Sequence, residues 1–153
     1  MGDEKPHPDG PMLLQALTAL EVDYWCEVDH NWGRHAHQYY ADSGVFEIGD
    51  KKMLGPDAVA AFYRWRESRG DRVARHVVTN FRLGANDRKR AKFECILCLY
   101  ASDGRPVLPS RPAIMIADIV SECELGQDGR WRYLSHALVP IFESGEPATI
   151  PKS

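Results

Sequence analysis

The sequence lacks any apolar run approaching the ~20 residues of a membrane-spanning helix, so a soluble chain with no membrane partner is expected. Its opening residues, Met1 to Pro11, are polar and Pro-rich. They have neither the basic start nor the apolar stretch of a signal peptide, and a cytoplasmic location is expected. A surplus of basic charge is missing too: the formal net charge is -3. Phosphate binding wants the opposite sign, which argues against nucleic acid as a partner. Cysteine is scarce, with only Cys26, Cys95, Cys98 and Cys123, all inside apolar segments and none in loops. That excludes a small disulfide scaffold and leads us to expect free, buried thiols. Cys95 and Cys98 form a C-x-x-C, but within the strand-like run Phe93 to Tyr100 a spacing of three puts them on opposite faces, which argues against a metal knuckle or redox pair. Glycine-rich phosphate loops, nucleophile elbows and dinucleotide fingerprints are all absent. Catalysis in this chain is therefore expected to need no cofactor.

Histidines do cluster at His30, His35 and His37, but two-residue spacing on a helix does not converge side chains and no carboxylate stands at ligand spacing with both. They read as surface or interface residues, and no metal is expected. Arginines gather at Arg64, Arg66, Arg69, Arg72 and Arg75 with Glu67 and Asp71 among them, the pattern of a solvated helix face.

What is present fits one domain. At 153 residues the chain is long enough to bury most of the surface its unfolded form exposes. From Met12 to about Asn31, Leu13, Leu17, Leu20, Tyr24 and Val28 recur at three- or four-residue spacing, which predicts a long amphipathic helix. Gly33 breaks it, and Arg34 to Ala41 reads as a second, shorter helix ending near Asp42-Ser43-Gly44. Val45 to Ile48 and Met53-Leu54 flank a Gly49-Asp50-Lys51-Lys52 turn and predict a hairpin. Gly55-Pro56-Asp57 opens a third helix through about Ser68. Four long strand-type runs follow, near 72–84, 89–102, 111–125 and 130–142. Helices first and a strand meander afterwards imply an α+β domain, an antiparallel sheet covered on one side by three helices. Residues 12–142 would form the domain, between flexible tails at 1–11 and 143–153.

Two residues carry the chemistry best: Asp29, near the end of the first helix, and His76, in the run Val73 to Leu83. A carboxylate that orients an imidazole is a small device for moving a proton near neutral pH. Each has a plainer reading, Asp29 as a solvated cap and His76 as a buried imidazole bonded to a backbone carbonyl. Trp25 shares a helix face with Asp29, and Tyr24 stands near it as a wall residue whose hydroxyl could polarise a carbonyl or simply pack. Asn80, two alternations beyond His76, is a candidate for polar substrate atoms, as are Arg132 and His136. Asp118 interrupts the apolar run Ala113 to Val120, where an unpaired carboxylate is costly. A pocket position, an interface ion pair or an exposed strand face would each account for it.

The pieces Glu27-Val28-Asp29, Gly55-Pro56-Asp57-Ala58-Val59 and His76 to Leu83, set in this order of elements, resemble the SnoaL-like branch of the nuclear transport factor 2 superfamily. That branch contains polyketide cyclases, scytalone dehydratase, bile acid dehydratase and hexachlorocyclohexane dehydrochlorinase. The resemblance implies a cone-shaped fold with Asp29 and His76 as a catalytic dyad inside it. It implies a cofactor-independent lyase or isomerase acting on a small hydrophobic, oxygenated ring compound. Tyr24 stands where the bile acid dehydratase branch has a tyrosine, whereas the lysine of dehydrochlorinases is absent, which weighs against halide elimination. The same fold hosts non-catalytic members, so a subunit resembling the small subunits of ring-hydroxylating dioxygenases and a small-molecule-binding module are rival readings. A homodimer or homotrimer is expected.

Overall fold

In the first helix, α1 (Gly10–Asn31), the spacing read from the sequence becomes a buried stripe of Leu13, Leu17, Leu20 and Tyr24. Each such leucine taken out of water stabilises by roughly 1.5–3 kcal/mol. The computed structural model describes residues 10–145, so most of both expected tails lies outside the described residues. Among these, no helix is long and apolar enough to cross a membrane.

After α1 come a short 3-10 turn (Ala36–Tyr39), β1 (Tyr40–Ile48), β2 (Lys51–Leu54), α2 (Gly55–Ser68), β3 (Arg72–Asn86), β4 (Arg90–Asp103), β5 (Met115–Leu125) and β6 (Trp131–Glu143). The six strands form one sheet in the order β2-β1-β6-β5-β4-β3. Two α-helices and a 3-10 turn thus replace the three helices expected. The predicted helix over Arg34 to Ala41 fails because Trp32 and Gly33 both take left-handed backbone angles, with φ of 59° and 65°, which reverse the chain. Tyr40 and Ala41 are then both buried in extended backbone, so core burial overrides the local helical pattern. The sheet is also mixed and not purely antiparallel. β2 and α2 carry the chain to the far edge, the meander returns, and β6 arrives parallel to β1.

Helix α1 packs on both β3 and β6, which stand at the sixth and third places of the sheet, so the sheet curls around it; α2 packs on β1. The enclosed face carries Phe93, Cys95, Leu97, Ala117, Ile119 and Tyr133, alternating with outward residues as period two requires. Cys95 and Cys98 fall on opposite faces, and burial pushes the Cys95 and Cys123 thiols far up and leaves them inert. Cys26, by contrast, is exposed, against the expectation of a buried thiol.

Gly33 shows how tightly the corner after α1 is built. A Cβ there would stand 2.6 Å from the ring of Tyr63, on a backbone of φ +65°. Gly33→Ala is expected to cost about 2–4 kcal/mol, from left-handed strain plus overpacking against a ring that cannot step aside. Urea denaturation would register this as a lowered midpoint at unchanged slope.

Candidate active site

The inner end of α1 delivers Trp25, Val28 and Asp29 to one end of the enclosed space, facing His76 on β3. Asp29 grips His76 twice: the ring Nδ1–H donates to Oδ1 at 2.5 Å and the backbone N–H donates to Oδ2 at 2.8 Å. Both side chains are nearly buried. A carboxylate in the last turn of a helix sits against the dipole, and these two donors offset that cost. The clamp also fixes the tautomer. With Nδ1 committed to Asp29, Nε2 has no protein partner among the described residues. Trp25 lies flat on the imidazole, with centroids 4.1 Å apart and planes 11° from parallel.

These groups line a cavity holding about 740 Å³ of empty space, its open mouth included. Most of the wall is apolar, from Phe46, Ile48, Phe62, Leu99, Met115 and Leu138. Its polar members are Asp29, His76, Tyr63, Arg66 and Arg72.

The remaining residues singled out in the sequence are placed differently. Tyr24 is fully buried but does not line the cavity; its hydroxyl accepts from Tyr40 at 3.0 Å and shares a 2.5 Å hydrogen bond with Tyr63. Tyr63, a residue of the apolar stripe of α2, brings this hydroxyl chain to the cavity wall. Asn80 is exposed and outside the cavity, because its φ of 59° and a register shift between Thr79 and Arg82 form a bulge. That extra residue ends the alternation begun at Ala74, His76 and Val78 and turns Phe81 and Leu83 inward instead. Asp118 stands exposed on the outer face between Ile96 and Val139, so it is no pocket residue; a hydrated carboxylate there costs little. Arg132 pairs with Asp128 at 2.7 Å, away from the cavity. Arg66 and Arg72 leave the solvated arginine face read from the sequence and line the cavity, with side chains only 16% and 12% exposed.

A second polar cluster lies directly behind the cavity wall. Glu21 is fully buried and accepts three hydrogen bonds, from Trp25 Nε1 at 2.7 Å, Tyr133 at 2.5 Å and His136 Nε2 at 2.9 Å. His136 Nδ1 in turn bonds the Tyr40 hydroxyl at 2.9 Å, which continues through Tyr24 to Tyr63. Burial pushes the Glu21 carboxyl up, but the charge of His136 and the bonds from His136, Tyr133 and Trp25 outweigh it and hold the group below the usual carboxylate range. Burial raises the hydroxyls of Tyr24, Tyr40, Tyr63 and Tyr133 well above the usual phenol range, so at neutral pH they keep their protons. The signal for Glu21 was its place four residues after Leu17 and four before Trp25, on the buried stripe of α1.

Among the described residues no three His, Cys, Asp or Glu side chains are grouped to hold a metal.

A cavity enclosed by a long helix and a curled mixed sheet is the architecture of the nuclear transport factor 2-like, or cystatin-like, fold, and this chain has it. No family model and no curated protein matches the sequence. Solved structures do. The chain is similar to a "putative scytalone dehydratase" of Novosphingobium aromaticivorans at TM-score 0.77 and 14% identity, over 90% of each chain. It is similar to the beta subunit of a "putative aromatic-ring-hydroxylating dioxygenase" of the same organism at TM-score 0.75 and 12% identity, over 91% of this chain and 94% of that one. A Catenulispora acidiphila protein in complex with S-DNPA matches at TM-score 0.69 and 14% identity, over 85% and 94%. At such identities the likeness is one of fold alone.

Proposed function

We propose that the protein is a cofactor-independent acid-base lyase or isomerase of the dehydratase or cyclase type, acting on a small hydrophobic, oxygenated ring compound. The observation that carries this reading is the double grip of Asp29 on His76, which leaves Nε2 as the free basic nitrogen in a mostly apolar cavity. His76 Nε2 takes a proton from the carbon next to a carbonyl, and the C–H electron pair moves into an enolate. Asp29 and the stacked Trp25 stabilise the imidazolium that results. Tyr63, which stays protonated, hydrogen-bonds the developing oxyanion. The imidazolium then returns its proton to a β-hydroxyl, which leaves as water, or to another carbon, which isomerises the substrate.

A non-catalytic subunit resembling those of ring-hydroxylating dioxygenases would be expected to have a filled cone, and the open cavity favours the enzyme reading over it. A binding module without chemistry gives Asp29 no reason to hold His76 by two bonds. Self-association as a homodimer or homotrimer would use the outer sheet face, where Val120, Val139 and Phe142 are exposed beside Asp118. The test is proton-deuterium exchange and product formation on a panel of ring ketones and β-hydroxy ketones, with wild type beside His76→Ala and Asp29→Asn. Turnover that vanishes in both folded variants supports the reading, and turnover that survives in both overturns it.

A further inference from the structure

Arg66 near the end of α2 and Arg72 at the start of β3 meet at the cavity wall, and Asp103 at the end of β4 stands between them. Two guanidiniums offer ten N–H donors. The single facing carboxylate oxygen lies 3.4 Å from Arg66 and 3.6 Å from Arg72, both longer than the 2.7–2.9 Å of a good charge-assisted hydrogen bond. Asp103 itself is 73% exposed, and among the described residues no other side chain pairs with either arginine. Two positive charges thus face one loosely placed negative charge in a wall that is otherwise mostly apolar and aromatic. Burial, and for Arg66 the neighbouring Arg72, disfavours these charges. Two cations at the cavity wall whose donors have one loosely placed protein acceptor, and whose repulsion Asp103 offsets only in part, fit a ligand anion better than a structural pin.

We propose that the cavity's ligand is a hydrophobic ring compound bearing a carboxylate, and that Arg66 and Arg72 bind this carboxylate. The inference deepens the enzyme reading above and rests on the same cavity. Arg72 and His76 share one face of β3 and stand four positions apart, about 13 Å along the strand at ~3.3 Å per residue. Both residues line the same cavity from different points along β3, so the acid group is bound at the arginines while the carbon that reacts lies at His76. Guanidinium is the side chain suited to this task, since its planar fork matches a carboxylate.

The test compares isosteric probes, 2-naphthoate against 2-naphthamide and cholate against its primary amide, by calorimetric titration of wild type, Arg66→Gln, Arg72→Gln, Asp103→Asn and His76→Ala. At least one acid is expected to bind wild type about tenfold tighter than its amide, as a charge-assisted bidentate contact predicts. The preference should collapse in Arg66→Gln and Arg72→Gln while amide affinity stays nearly constant. Asp103→Asn removes the competing carboxylate and should tighten the acids further, whereas loss of a structural pin would lower the melting temperature without that gain. Equal affinity for acid and amide, a preference that survives both arginine variants, or no saturable binding of any acid would overturn the inference. His76→Ala separates the two proposals: if it abolishes turnover and keeps the acid preference, both stand. If acids bind through the arginines and no substrate turns over, only the catalytic reading falls.

Discussion

Glu21→Ala is expected to destabilise the fold by about 3–5 kcal/mol, the range found when one partner of a buried ionic cluster is removed. The loss follows from the count of donors left behind. His136, Tyr133 and Trp25 all aim protons at this one carboxylate from buried positions. Glu21→Gln keeps the length and an acceptor oxygen and should cost less. The two also separate in acid. Because the folded protein holds the Glu21 carboxyl below its ordinary range, the unfolded chain binds the extra proton first as pH falls. The contribution of this group is therefore fully present above the unfolded carboxylate value of about 4.3 and is lost on acidification through the folded value. Wild type should lose stability over that window more steeply than Glu21→Gln. Urea midpoints measured across the acid range would show it, and parallel curves for the two proteins would refute the ionic role.

His76→Ala is expected to lower kcat/KM by about 10²- to 10⁴-fold, the usual contribution of one positioned acid-base group. Asp29→Asn should lose a comparable factor by a different route. An amide can present its NH₂ to Nδ1, which favours the wrong tautomer and offers no negative charge to the imidazolium. If the pair acts as one device, the double variant will be little worse than the more damaged single variant. Losses that multiply would mean that Asp29 and His76 act separately. Thermal melts should accompany the kinetics, because Asp29 also ties α1 to the backbone of β3.

The long strands and both α-helices were legible because each carries its own period, 2.0 or about 3.6, within a single segment. What escaped were features decided between distant segments. The parallel meeting of β1 with β6 joins residues some ninety positions apart, such as Phe46 with His136. The Arg34 to Ala41 stretch had helical spacing locally, yet Tyr40 was claimed by the core. At the site, Asp29 and His76 came from likeness to a family and not from periodicity. Arg66 and Arg72 were hidden among neighbouring charges, although each carried a signal: Arg66 continues the stripe of Val59, Phe62 and Tyr63, and Arg72 shares the parity of Ala74 and His76. Asn80 misled because strict alternation cannot anticipate a bulge.

The flat contact between Trp25 and His76 gives the protein an optical readout of its own chemistry. A protonated imidazole lying 4.1 Å from an indole quenches its emission by accepting charge from the excited ring, whereas the neutral form does so far less. Trp25 emission should therefore report on the ring beside it, a signal changed in His76→Ala and isolated from the other three tryptophans by subtracting Trp25→Phe. A ligand that enters the cavity meets this stacked pair, so its occupancy could be followed by light before any product is known.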